Sequence, residues 1–249
     1  MVLLETLVVV LGVAAVAALA VVAKTRLFPV DENEEPREDV AEYIAMMVSV
    51  LYAVVLGLCL VSVWDTRSDA ADNVQAEASA LHQTYLLADA LPAAQRQPLR
   101  DAARAYADHV VGVEWPAMTE REPLGPSGWQ LLERLRQAGQ VGDSAKVPEQ
   151  IAAQEVLAQI GYVDDARRGR EAAAQERLSP VLWTGLLIGG ALTLAFMFLF
   201  GIKRSTTHVV MVMGLSGFIA FTVLLIHQLD SPFGATLGAT PDPFTRYFG

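Results

Sequence analysis

Four stretches of about twenty apolar residues limit what this chain can fold into: 4–23, 44–64, 181–201 and 208–229. A helix rises about 1.5 Å per residue, and the hydrocarbon core of a bilayer is about 30 Å thick, so roughly 20 apolar residues suffice for one crossing. Three of the runs lack Asp, Glu, Lys and Arg, and the first carries only Glu5. The chain is 53% hydrophobic and 18% charged, whereas soluble domains hold about a quarter charged residues. A soluble core does not call for four such runs. A secretory leader begins with positive charge, and Glu5 is the lone charge ahead of the first apolar core, so that run is expected to stay as an anchor. The expected fold is all-α: a polytopic membrane protein with four transmembrane helices.

The runs form two pairs around a polar insert. Residues 1–64 are read as one transmembrane hairpin, 65–180 as an extramembrane helical bundle, and 181–249 as a second hairpin with a short tail. Four crossings place both termini and the insert on one side. Lys24, Arg26, Lys203 and Arg204 follow the first and third runs. The positive-inside rule then puts the short loops in the cytoplasm of a multi-pass cell-membrane protein, with insert and termini extracytoplasmic. Within the insert, Val74, Ala78, Leu81 and Tyr85 form one stripe of an amphipathic helix. Further helices are expected at about 93–113, 127–139 and 149–178, with a Pro- and Gly-rich loop, EWPAMTEREPLGPSG, after the second. The last helix is read as passing into the third run through Ser179–Pro180, either as a fresh start or as a kink. The whole reads as an antiparallel four-helix bundle projecting from the membrane.

Candidate chemistry is sparse. A net charge of −10 argues against nucleic acid as a partner, because phosphate binding needs a basic face. The single Cys59 excludes a disulfide framework and a cysteine metal site. His82, His109, His208 and His227 show no metal-ligand spacing, and the acidic run 31–43 lacks the spacing of a calcium loop, so it reads as a solvated helix lead-in. No catalytic residue, metal or cofactor is nominated, and no enzyme activity is expected. Gly185, Gly189 and Gly190, with Gly214 and Gly217, thin faces of the last two runs for close helix packing. AFMFLFG, 195–201, reads as lipid-facing aromatics or as a hydrophobic gate. At the exit of the last run, LDSPFG reads as a stop in which Pro232 ends the helix and Gly234 takes a positive φ. Asp230 could also pair with Arg67, Arg167, Arg168 or Arg177.

Several segments together carry a resemblance: EASAL at 77–81, LRDAARAYADHVVGVEWPAM at 99–118, ARRGR at 166–170, SPVLW at 179–183 and the terminal LDSPFG. The chain resembles the bestrophin-like family of bacterial membrane proteins over nearly its whole length. Its weightiest markers are Trp64, Glu77, Tyr106, Glu114, Trp115, Trp183, Asp230, Pro232 and Gly234. The family's name points to bestrophins, which are pentameric anion channels with four spans per subunit and a large cytosolic domain. That orientation is opposite to the one the charges suggest here, and the second run lacks the bestrophin aromatic neck. The resemblance implies an oligomeric ion channel; the polar residues Ser49, Tyr52 and Ser62 of the second run and Ser216 and Thr222 of the fourth are the expected pore-lining residues. The alternative is a non-conducting membrane scaffold or sensor whose stalk binds a partner protein. Expected partners are the lipid bilayer, further copies of the chain and ions.

Overall fold

The computed structural model describes residues 2–27, 38–142, 145–199, 206–234 and 236–249. Among them there is no strand. The helices are α1 (Val2–Leu27), α2 (Glu38–Leu87), α3 (Ala93–His109), α4 (Trp115–Glu120), α5 (Ser127–Ala138), α6 (Val147–Gln175), α7 (Pro180–Leu199), α8 (Thr206–Leu229) and α9 (Asp242–Phe248). A π-helical segment, Val110–Glu114, joins α3 to α4. Three helices are long and apolar enough to cross a membrane, over Tyr43–Ala90, Pro180–Met197 and Val209–Leu229. The first run is helical throughout α1, where Val8–Ala17 forms a shorter apolar stretch. Residues 31–37 and 201–205, and the side chains of Lys24, Arg26 and His208, lie outside the described residues. So do the charges used for orientation, all but the last side chain of the acidic run, and the end of AFMFLFG.

The chain divides into two compact units, with the boundary falling inside α2. The first comprises Met1–Val63 and Leu178–Asp230; the second comprises Trp64–Arg177 and Ser231–Gly249. In the first unit α1 packs against α8, where Gly217 presents a bare face to Val10 and Ala14. In the same unit the ring of Tyr52 lies on Gly189, where a Cβ would fall 2.5 Å from its Cδ2. Gly185 and Gly214 have nothing within reach, so only part of the expected glycine face is used here. In the second unit Val74, Ala78 and Leu81 of α2, Leu99, Ala103 and Tyr106 of α3, and Val156, Ile160 and Val163 of α6 form one core. The tail contributes Phe233 and Phe244 to it, both essentially buried.

Three local expectations change. EWPAM is helical rather than loop, because Pro116 sits in the first turn of α4, where its missing N–H is not needed. That helix ends at Arg121, a non-glycine residue at φ 64°, with the N–H groups of Arg121 and Glu122 returning to Met118 and Ala117. Next, α6 stops at Gln175 and α7 starts afresh at Pro180, so Pro180 marks a helix start and not a kink. Finally, Gly234 does not have a positive φ. Its N–H bonds Ser231 O at 2.9 Å, and an added Cβ would sit 3.1 Å from Ser231 Cβ; close approach, not handedness, favours glycine there.

Candidate functional site

Helix α6 carries its core stripe as Val156, Ile160 and Val163, and the same 3–4-residue spacing continues into Arg167 and Arg170. Both guanidiniums are therefore delivered to the interior, where each is fully buried. Burying a charge without partners is very costly, and here the partners come from the neighbouring helices. Glu77 sits on the inner stripe of α2 beside Val74 and Ala78, fully buried. Glu114 closes the π segment, 2% exposed.

The geometry is bidentate. Arg170 donates from Nε to Glu77 Oε2 at 2.6 Å and from Nη2 to Glu77 Oε1 at 3.0 Å, and Nη2 also reaches Glu114 Oε2 at 2.8 Å. Arg167 donates to Glu114 through Nη1 and Nη2 at 3.0 and 2.6 Å. Tyr106 bridges the two halves: its hydroxyl donates to Glu77 Oε1 at 2.6 Å and accepts from Arg167 Nη1 at 3.1 Å. Glu171 Oε1 lies 2.8 Å from Arg167 Nη2, an ion pair by distance though not aligned as a hydrogen bond. His109 Nε2 lies 3.6 Å from Glu114 Oε1. Trp129 covers the pair, its ring 4.9 Å from the Arg167 guanidinium carbon and its N–H donating to Glu171 at 3.2 Å. Gly128 closes the site, since a Cβ there would collide with Glu114 Oε1 and both terminal nitrogens of Arg167.

Burial pushes the Glu114 carboxyl up, but hydrogen bonds from Arg167 and the charge of Arg170 outweigh it and leave it below its ordinary value. Burial and then the Glu77 charge hold the Tyr106 phenol well above its ordinary value. The cluster thus sets an ionised Glu114 and a neutral Tyr106 phenol among the guanidiniums of Arg167 and Arg170. It offers no activated nucleophile, and its carboxylate oxygens are already engaged. Among the described residues no group of three His, Cys, Asp or Glu side chains could hold a metal ion.

The other markers fall at separate places. Trp115 packs edge-on against Phe233, centroids 5.4 Å apart. Trp64 is exposed, with Arg67 over its ring at 5.6 Å. Asp230 accepts from Leu178 N–H at 2.7 Å and Trp183 Nε1 at 3.1 Å, so two N–H donors fill the role expected of an arginine. Pro232 O accepts from Ala239 N–H at 2.7 Å. Arg67 instead reaches Leu237 O, Arg168 reaches Asp164, and Arg167 serves the buried cluster. Of the residues named for a pore, Ser62 is exposed and Ser49 half-buried, while Tyr52, Ser216 and Thr222 are buried within their unit. Ser49, Ser216 and Thr222 donate to carbonyls of their own helices. Sequence reading held Arg170 only as part of the ARRGR segment, with no role, and misplaced Arg167. The available signal was their position on an otherwise apolar stripe.

Helices able to cross a membrane, together with a helical unit stapled by buried ion pairs, define an α-helical membrane protein. A Bestrophin-like domain matches residues 11–244. The chain belongs to the Bestrophin-like family. A solved crystal structure, described as that of a membrane protein, has a similar fold, with TM-score 0.58 and 15% identity, covering 98% of this chain and 99% of that one. No curated protein matches.

Proposed function

We propose that the protein is an oligomeric ion channel of the cell membrane, with the spans of several copies gathered around a shared axis. The observation that carries this reading is the surface of α2. Between Tyr43 and Val63 only Tyr52, Leu56, Cys59 and Val63 are buried, while Met47, Val50, Leu51, Val54, Leu58 and Val61 are more than half exposed. A single chain leaves this apolar helix bare, and lipid and neighbouring copies are the partners that would cover it. Family membership supports the same reading. Ser49 and Ser62 reach the uncovered side of α2 and are the favoured pore-lining residues; Tyr52, Ser216 and Thr222 would serve only a path through the interior of the unit. Helix α1 is the proposed fourth crossing, with the insert and termini extracytoplasmic.

A second reading, a membrane scaffold or sensor, draws on a groove of about 460 Å³ lined by Asn73, Gln83, Gln159, Tyr162 and Asp165 in the second unit. Light scattering in detergent and ion flux from liposomes separate the two. The channel reading expects a closed oligomer that conducts, with Ser62→Leu reducing flux. A monomer or dimer without flux overturns it in favour of the scaffold.

A further inference from the structure

Among the described residues of the first unit, two buried hydroxyls have no hydrogen-bond partner, those of Tyr52 and Thr193, at 7% and 3% exposure. Hydroxyls in apolar helices ordinarily return to a carbonyl four residues back, as Ser49 does to Ala45, Thr184 to Pro180 and Thr222 to Phe218. Thr193 does not. It lies one turn beyond Gly190, the residue that the Tyr52 hydroxyl approaches. A Cβ on Gly190 would fall 2.9 Å from the Tyr52 hydroxyl and 3.5 Å from Ile219 Cγ2, so Gly190 faces both α2 and α8. Helices α7 and α8 run antiparallel: Gly190 meets Ile219, and further along α7, Met197 shares an apolar cluster with Val212, further back on α8. One turn from Gly190, the same register sets Thr193 level with Ser216. Ser216 is fully buried, and its hydroxyl donates to Met213 O at 3.1 Å. Buried hydroxyls from three helices thus fall within about one helical turn of the Gly190 level, near the middle of apolar segments.

In hydrocarbon an unsatisfied polar group is strongly unfavourable. A water molecule inside a protein uses two to four polar partners, which is what these side chains offer. Segments 44–63, 180–197 and 209–226 carry no Asp, Glu, Lys or Arg, so no side-chain charge is there to balance an ion. We infer that Tyr52, Thr193 and Ser216 form a hydration site within the apolar bundle, whose guest accepts from Tyr52 and Thr193 and donates to Ser216. The inference is independent of whether the protein conducts.

Millisecond X-ray radiolysis of the full chain in detergent, read by mass spectrometry, tests it, because hydroxyl radicals form where water is held. Tyr52 should be oxidised several-fold faster than Tyr106, a fully buried residue of the same intrinsic reactivity. The rate should fall in Thr193→Val and return in Thr193→Ser, which keeps the hydroxyl. Oxidation of Tyr52 no faster than that of Tyr106 overturns the inference, as does an unchanged rate in a folded Thr193→Val. If Thr193→Val fails to fold, the wild-type comparison still decides. A Tyr52 signal present in gluconate and lost in chloride identifies an anion and overturns the assignment to water.

Discussion

Arg170 makes charge-assisted contacts with two carboxylates, and none of the three side chains can reach water. Removing one member of such a set leaves the others charged and buried, which costs about 3–5 kcal/mol. Arg170→Leu and Glu77→Leu should each destabilise the second unit by an amount of that order, read as a lowered thermal midpoint in detergent. Arg170→Lys should not restore it, because an ammonium cannot reproduce the bidentate fork. Glu114 adds a pH dependence. Its folded value lies below the unfolded one, so the stability it contributes is complete above the ordinary carboxylate value of about 4.3 and is lost as pH falls through the lowered folded value. A melting series from pH 6 down to strong acid should show this acid-side loss, and Glu114→Gln should flatten it. The resemblance had already picked out Glu77, Tyr106 and Glu114. Their common purpose was not legible, because the link is a distance across three helices. A partial signal was present: opposite charges occupy inner-stripe positions on α2, α6 and the segment after Val110, where an amphipathic pattern calls for apolar residues.

Helices were easier to read than the irregularities within them. Periodicity and apolar run length gave the positions of α2, α3, α5, α6, α7 and α8 to within a few residues. The π segment left no comparable mark, since a single extra residue does not change which residue types favour a helix. The glycines of α7 give a contrast within one element. Gly189→Leu must displace the Tyr52 ring and should cost about 1–3 kcal/mol, whereas Gly185→Leu has open space and should be close to neutral. Composition placed both on one thin face and could not tell which one the structure uses.

At the scale of the molecule, the second unit is discontinuous in sequence: Ser231–Gly249 rejoin residues before Leu178. Phe244 is fully buried in that core and Phe233 is 3% exposed, while His82 stacks on Tyr247 with centroids 4.5 Å apart. Phe→Ala in a core costs about 3–5 kcal/mol. Phe244→Ala should therefore expose the 64–177 segment to limited proteolysis, detectable by mass spectrometry of the fragments. Segmentation by hydropathy naturally groups the tail with the preceding apolar helices, and only tertiary packing reveals where it belongs. This arrangement constrains biosynthesis. A ribosome that has made α2 to α6 has made a bundle still missing two of its interior aromatics, and these emerge only after both closing apolar helices have been translated. Maturation of the polar bundle is thus tied to completion of the greasy hairpin, and a nascent chain arrested there would remain unsealed and open to degradation.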